Sequence, residues 1–210
     1  MRSSVVAVVL TLATATIPAT ARAGSKTHER SKIVGDTATA EWDYTAGNVS
    51  TYVNVIVTDN NEDGTAGPSE TALVSLTINQ WDNLTNNVLL AGVAYVDGPQ
   101  NFDFSIDKDL GTATLHVRNA IFEDDSSFTF FNVDIDLTWT ATAEATAMKS
   151  HTNFKGPGFK FNSQFQGTFR DGVATGSIAG KNTQFTPVPS TTGQLQHNKF
   201  GSMTLTTQTP

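Results

Sequence analysis

Cysteine is absent from the 210 residues of this chain. Without cysteine there is no disulfide, no thiolate metal site and no lipid-modified N-terminal cysteine. A protein of this kind that works outside the cytoplasm has to be stabilised by its packed core or by a bound ion.

Basic residues are scarce, with 13 Lys and Arg against 20 Asp and Glu, a net charge of −7. A chain this acidic is repelled by nucleic-acid phosphates and by anionic lipid surfaces. We therefore expect no nucleic-acid partner.

Long apolar runs are missing except at the start, where Val5 to Ala15 follows Arg2 and precedes Ala21-Arg22-Ala23. A positive start, an apolar run and a small-x-small cleavage site are typical of a secretory signal peptide. The run is too short for a spanning helix of about 20 apolar residues. We predict a signal peptide over residues 1–23, a secreted, extracellular mature protein and no stable membrane insertion.

Apolar and polar residues alternate through the rest of the chain. Two clear runs of alternate apolar residues are Ala72, Val74, Leu76, Ile78 and Val133, Ile135, Leu137, Trp139. Successive strand side chains point to opposite faces, so this period predicts antiparallel strands with one buried face. About nine or ten strands fit a β-sandwich, a jelly roll or an up-and-down barrel. We predict an all-β fold, an antiparallel β-sandwich or jelly roll of about nine or ten strands.

The polar segment 24–35 is predicted to be a flexible leader, and residues 36–210 a single β domain. The segment from Lys181 to Asn198 is rich in Pro, Thr and Gln. Such a composition is typical of a long loop, which we expect before a last short strand.

The most specific motif runs from Asp59 to Glu70, where the sequence matches the calcium-loop pattern D-x-[DN]-x-[DN]-G-x5-E at every specified position. Calcium prefers six to eight oxygen ligands, and Gly64 stands where the loop needs a sharp turn. The predicted metal ligands are Asp59, Asn61, Asp63, Thr65 (through its carbonyl) and Glu70.

Strands, rather than the helices of an EF-hand, are predicted on both sides of this loop. Asp, Asn and Gly are also the usual residues of a solvated turn between strands, which is the alternative interpretation. If calcium is the cofactor, we expect it to stabilise the loop rather than to signal.

Trp81 is the one tryptophan that lies off the apolar face of its strand, beside Asp82, Asn83 and Asn86. A tryptophan at a rim with amide and carboxylate neighbours can stack on a sugar ring or anchor a partner. Burial at a strand end is the simpler alternative.

Asp134 and Asp136 lie two apart on a predicted strand and so share one face. Paired carboxylates at such distances can hydrolyse glycosidic bonds, although the polar face of an amphipathic strand is the simpler explanation. The sequence contains no His-Glu-x-x-His and no Gly-x-Ser-x-Gly motif. We assign no catalytic residue.

One stretch of this acidic chain is basic and aromatic. It surrounds Gly156-Pro157-Gly158 and comprises Lys149, His151, Phe154, Lys155, Phe159 and Lys160. It could receive an anionic ligand, or it is an exposed hairpin whose lysines keep a sheet edge soluble.

Several segments resemble a set of uncharacterised secreted bacterial proteins that are rich in β-structure. They are Leu110 to Leu115, Val133 to Trp139, Gly158 to Ser163 and Asn182 to Ser190. Some members contain cysteines near the positions of Leu84 and Phe159, where this chain has none. The resemblance implies secretion and no particular activity.

The sequence therefore predicts a secreted β-protein with a non-catalytic binding or interaction role, whose partner is an unknown protein or carbohydrate. A carbohydrate-binding module that uses Trp81 is the main alternative. A glycoside-type hydrolase that uses Asp134 and Asp136 is the second.

Overall fold

The structure, a computed structural model, describes residues 26–61, 70–180, 183–185 and 189–208. The predicted signal peptide and the centre of the acidic loop lie outside these residues. In the described ranges no helix is long and apolar enough to cross a membrane.

The fold is all-β and contains eleven strands, with a single 3₁₀ turn at Pro99–Asn101 as its helical element in the described ranges. The strands are β1 (Lys26–Ala46), β2 (Val49–Asn61), β3 (Glu70–Asp82), β4 (Val88–Asp97), β5 (Phe102–Ile106), β6 (Thr112–Asp124), β7 (Thr129–Ala141), β8 (Thr146–Gly156), β9 (Phe159–Gly180), β10 (Thr183–Phe185) and β11 (Thr192–Gln208).

Every ladder between these strands is antiparallel, which confirms the all-β, antiparallel part of the prediction. The strand count is higher than the nine or ten that we predicted. The pairing joins all eleven strands into one sheet and does not divide them into the two sheets of a sandwich or jelly roll.

Eight of the strands pair in a closed ring. The ring order is β1–β2–β3–β4–β6–β7–β9–β11, and β11 pairs back to β1. The smaller β5 and β10 lie on the flanks of β6 and β9. Closing a sheet on itself removes exposed strand edges and encloses the side chains of one face.

The enclosed face contains the apolar residues that the sequence period predicts. Its fully buried side chains include Trp139, Phe122, Leu76, Ile78, Leu115, Ile135, Leu137, Ile178, Leu195, Val53 and Val55. Trp139 on β7 also donates its Nε1–H to the Thr39 carbonyl on β1, at 2.8 Å. This bond links two strands that are separated in the ring by β9 and β11.

The ladder between β4 and β6 is the shortest in the ring. It consists of three pairs, from Gly92 with Asp124 to Ala94 with Phe122. Glycine is required at the first pair, because a Cβ on Gly92 would stand 1.9 Å from the Glu123 carbonyl oxygen. We call this ladder the seam.

Beyond the ring, the long strands continue as a smaller sheet. We call it the extension, and it consists of β8, the segment Phe159–Phe169 of β9, and β11 from Asn198 to Gln208, bordered by the start of β1. Most β8 side chains are exposed.

Two segments that composition predicts to be unstructured contain strands. The predicted flexible leader over residues 24–35 is strand from Lys26, where it pairs with Gln208. The predicted long loop from Lys181 to Asn198 contains β10 and the start of β11. The start of β1 and the start of β11 are ordered by partners far away in the sequence, which local composition does not reveal, whereas β10 pairs with the end of β9 just before it.

Candidate functional site

A groove of about 240 Å³ lies beside the short edge strand β5. It is lined by Asp59 of β2, Pro99 of the 3₁₀ turn, Thr114 of β6, and Phe102, Asp103, Phe104 and Ser105 of β5. Three separate segments of the chain therefore contribute to one surface.

Alternation along β5 gives the groove both polar and aromatic walls. Phe102 is buried and Phe104 packs partly against the core, whereas Asp103 and Ser105 are exposed. The Ser105 and Thr114 hydroxyls are 2.9 Å apart and hydrogen-bonded across the β5–β6 ladder. Carboxylates, hydroxyls and ring edges in one concave surface can bind a ligand rich in hydroxyl groups.

Asp59 belongs to the groove and is also the first residue of the predicted calcium loop. The β2–β3 register places Asp59 opposite Ala72 and Asn61 opposite Glu70, so the two ends of the loop are adjacent. The flanking segments are strands, as predicted.

The other four predicted calcium ligands cannot be placed as a set, because their side chains lie outside the described part of the structure. Asp63 and Thr65 are not among the described residues, and the side chains of Asn61 and Glu70 are not described. Across the residues that are described, no three His, Asp or Glu side chains cluster in a way that could hold a metal. Calcium binding thus stays a prediction.

Asp134 and Asp136 lie on the outer face of β7, as their spacing predicts, but both have structural partners. Asp136 accepts two hydrogen bonds from the Arg118 guanidinium, each 2.7 Å long, and lies 2.8 Å from His116 Nδ1. Asp134 accepts the Asn119 backbone N–H at 2.8 Å.

These bonds belong to an irregularity in the β6–β7 ladder. The register shifts between Val117 and Ala120, and Asn119 adopts a left-handed backbone with φ of 56°. Asp134 binds the amide that the bulge leaves without a ladder partner, which is a common way to satisfy a bulged strand.

Arg118, and then His116, hold the pKa of Asp136 below its ordinary value. A general acid of a glycosidase needs the opposite shift, a raised pKa. The geometry therefore favours a structural role for Asp136 over a role in acid catalysis.

Trp81 lies at the end of β3 and is 36% exposed, so it is a rim residue. Its polar neighbours are engaged locally. Asp82 Oδ1 accepts the backbone N–H groups of Leu84 and Thr85, and Asn83 Nδ2 donates to Ser50 Oγ at 2.8 Å. Trp81 does not line the β5 groove.

The basic, aromatic stretch forms the β8–β9 hairpin. Phe154 and Phe159 pack against each other with ring centroids 5.5 Å apart. Lys155 and Lys160 lie directly opposite each other in the ladder. The turn at residues 157–158 contains Gly158 with φ of 77°, a left-handed conformation that favours glycine.

Two features were not predicted from the sequence. One is the groove, and the other is a second His–Asp pair, in which Asp36 Oδ1 and His197 Nδ1 lie 2.5 Å apart. Period-two alternation identifies Phe102 to Ile106 as a strand, but it contains no signal that Asp59 lies nearby. Both arrangements depend on contacts between distant parts of the chain.

Comparison with known proteins gives no relative: no family model, no curated protein and no solved structure matches this chain.

Proposed function

We propose that this chain is a secreted binding protein without catalytic activity, and that its ligand site is the groove beside β5. The observation that supports this proposal is the lining of the groove, in which the Asp59 and Asp103 carboxylates and the Ser105 and Thr114 hydroxyls adjoin the phenylalanines of β5. A saccharide is the ligand class that fits this chemistry, because its hydroxyls pair with polar groups and its ring faces pack on aromatic side chains.

A non-catalytic role is supported by the state of the paired carboxylates. Asp136 is bound by Arg118 and His116, and Asp134 by the bulge amide of Asn119. Groups that are held in structural hydrogen bonds are poorly placed to transfer a proton to a substrate.

Calcium fits the same proposal as a stabilising ion. Asp59 is the first residue of the acidic loop and lines the groove, so an ion bound by this loop would stabilise one wall of the ligand site.

For the overall fold we propose a closed ring of strands that is flattened like a sandwich. The Trp139–Thr39 hydrogen bond supports it, since it links strands that are not neighbours.

The test is binding of a panel of neutral polysaccharides by affinity electrophoresis, with the wild-type chain and two variants. Asp103→Ala removes an exposed carboxylate of the groove. Asp43→Ala removes an exposed carboxylate of β1. Asp43 lies seven positions, about 23 Å, along the strand from Asp36, which pairs with the groove residue Asp59. We expect Asp103→Ala to weaken binding at least tenfold and Asp43→Ala to leave it unchanged.

Two results would contradict the groove as the site. One is the absence of binding to any polysaccharide in the panel. The other is binding that survives Asp103→Ala but is lost in Trp81→Ala, which would move the site to the exposed rim around Trp81, Leu84 and Val88.

A further inference from the structure

Charge is distributed very unevenly along this chain. Residues 1–144 contain nineteen of the acidic residues and seven Lys or Arg, whereas residues 145–210 contain one acidic residue, Asp171, and six Lys or Arg. Such an asymmetry between two parts of a chain suggests that the basic part meets an anionic partner.

The fold collects this basic part in one place. Three of the four strands of the extension, namely β8, the first half of β9 and the second half of β11, come from residues 145–210 and contain no Asp or Glu. Near this sheet the local charge is therefore positive, although the whole chain is acidic.

The free end of the extension is the β8–β9 hairpin, which contains two lysines without an ion-pair partner among the described residues. Lys155 and Lys160 face each other across the ladder, and neither forms an ion pair within the part of the chain that the structure describes. Like charges directly opposite each other destabilise a sheet, so an anion bound between them would relieve a repulsion built into the hairpin.

The same hairpin exposes two aromatic rings. Phe154 is 56% exposed and Phe159 is 37% exposed, and the two rings form a pair. Along β8 the side chains of Phe154 and Lys155 are on opposite faces of the strand, as period-two alternation requires. The tip therefore has a small apolar surface on one face and positive charges on the other.

We propose that the tip of the β8–β9 hairpin docks reversibly on an anionic lipid surface. Phe154 and Phe159 would leave water for the boundary of the acyl chains, and Lys155 and Lys160 would lie at the level of the lipid phosphates. The exposed aromatic pair beside the lysines favours a lipid surface, because such a surface has a continuous apolar layer beneath its charges.

The test is co-sedimentation of the full chain with vesicles of phosphatidylcholine and with vesicles in which about a third of the lipid is phosphatidylglycerol. We expect binding to the anionic vesicles and little to the neutral ones. Raising NaCl from about 0.1 to about 0.5 M should weaken binding strongly, because the Debye length falls well below 10 Å.

Two variants test the two parts of the tip. Each lysine near an anionic surface contributes about a fivefold increase in partitioning, so Lys155→Glu with Lys160→Glu should reduce binding more than tenfold. Phe154→Ser with Phe159→Ser should reduce it about tenfold at any salt concentration. Phe154→Ser alone serves if the double variant fails to fold by circular dichroism.

Matched controls come from elsewhere on the surface. Lys108→Glu reverses an exposed charge in the β5–β6 turn, and Phe130→Ser removes an exposed ring of β7. Equal losses in the controls and in the tip variants would overturn the proposal. So would wild-type chain that stays in the supernatant with anionic vesicles, or that binds only nucleic acid, acidic polysaccharide or acidic protein.

Discussion

Asp136 and Arg118 form a two-pronged ion pair across the outer face of β6 and β7, with both guanidinium Nη atoms 2.7 Å from the carboxylate oxygens. The paired geometry fixes the carboxylate in its charged form. The pair also spans the bulge at Asn119, so it connects the electrostatics of this face with the register of the ladder.

The first prediction concerns the stability of the folded chain at acidic pH. The pKa of Asp136 is lower than its ordinary value of 3.8 because of Arg118 and His116. A carboxyl with a lowered pKa in the folded state stabilises the fold above its unfolded pKa, and that contribution is lost as the pH falls through the folded value. We expect the free energy of unfolding in urea to fall below about pH 4.

Asp136→Asn should make this pH dependence shallower, and Arg118→Ala should raise the pKa of Asp136 in a carboxyl ¹³C titration. Asp109→Asn, an exposed change in the β5–β6 turn, is the control and should leave both measurements as in the wild type. A carboxyl of Asp136 that titrates at its ordinary value would show that the ion pair does not persist in solution.

The second prediction concerns Asp124, a carboxylate that is only 6% exposed. Burial alone would raise its pKa, but hydrogen bonds from Ser126 and Ser127 more than compensate and lower it. Both serine hydroxyls donate to it, at 2.6 and 2.5 Å. Hydrogen bonds to a buried charge contribute about 1.5–3 kcal/mol, so Asp124→Ala should lower the free energy of unfolding by about 2 kcal/mol.

Chemical denaturation measures this loss, with the exposed neighbour Asp125 as the reference. Asp125→Ala should change stability by no more than about 0.5 kcal/mol. Equal effects of the two substitutions would mean that the serine hydroxyls do not hold the β6–β7 turn.

The third prediction concerns the seam. A methyl group at Gly92 would meet the Glu123 carbonyl oxygen at 1.9 Å and the Phe122 ring at 2.7 Å, so the two strands would have to separate. Overpacking of this kind costs about 1–3 kcal/mol, and the seam has only three pairs with which to absorb it.

Gly92→Ala should therefore lower the midpoint of thermal unfolding and increase amide hydrogen exchange in residues 92–94 and 122–124. Gly111→Ala is the matched control, because its nearest contact would be an ordinary 3.5 Å to Asp107 Oδ2. Unchanged exchange in Gly92→Ala would show that the seam tolerates wider spacing.

The fourth prediction concerns calcium. If the loop from Asp59 to Glu70 binds it, millimolar calcium should raise the thermal midpoint relative to EGTA, since a ligand at a hundred times its Kd stabilises the folded state by about 2.7 kcal/mol. Asp59→Ala should abolish the increase. Asp97→Ala, an exposed change at the end of β4, should preserve it. Identical midpoints in both solutions would reduce the loop to a polar turn.

Strand faces could be predicted from the sequence because their signal is local. The run from Val133 to Trp139 alternates strictly, and each apolar member is buried. The same reasoning placed Asp134 and Asp136 on one face, but it gave no indication of their partners, since Arg118 and Asn119 reach them through a bulge in a different strand.

The groove and the ring closure could not be predicted in this way. Asp59 and Asp103 are brought together by the path of several strands, and Lys26 becomes a strand residue only because Gln208 pairs with it. Such contacts depend on tertiary packing, which overrides the preferences of a short segment.

The pairing of β1 with β11 also determines the order in which the chain can fold. Asp36 lies opposite His197, so the first strand lacks its second neighbour until nearly the whole chain has been synthesised. Ladders between segments so far apart form slowly, because a very long loop has to close first. The ring of a polypeptide built in this way therefore cannot close until its last strand has been made.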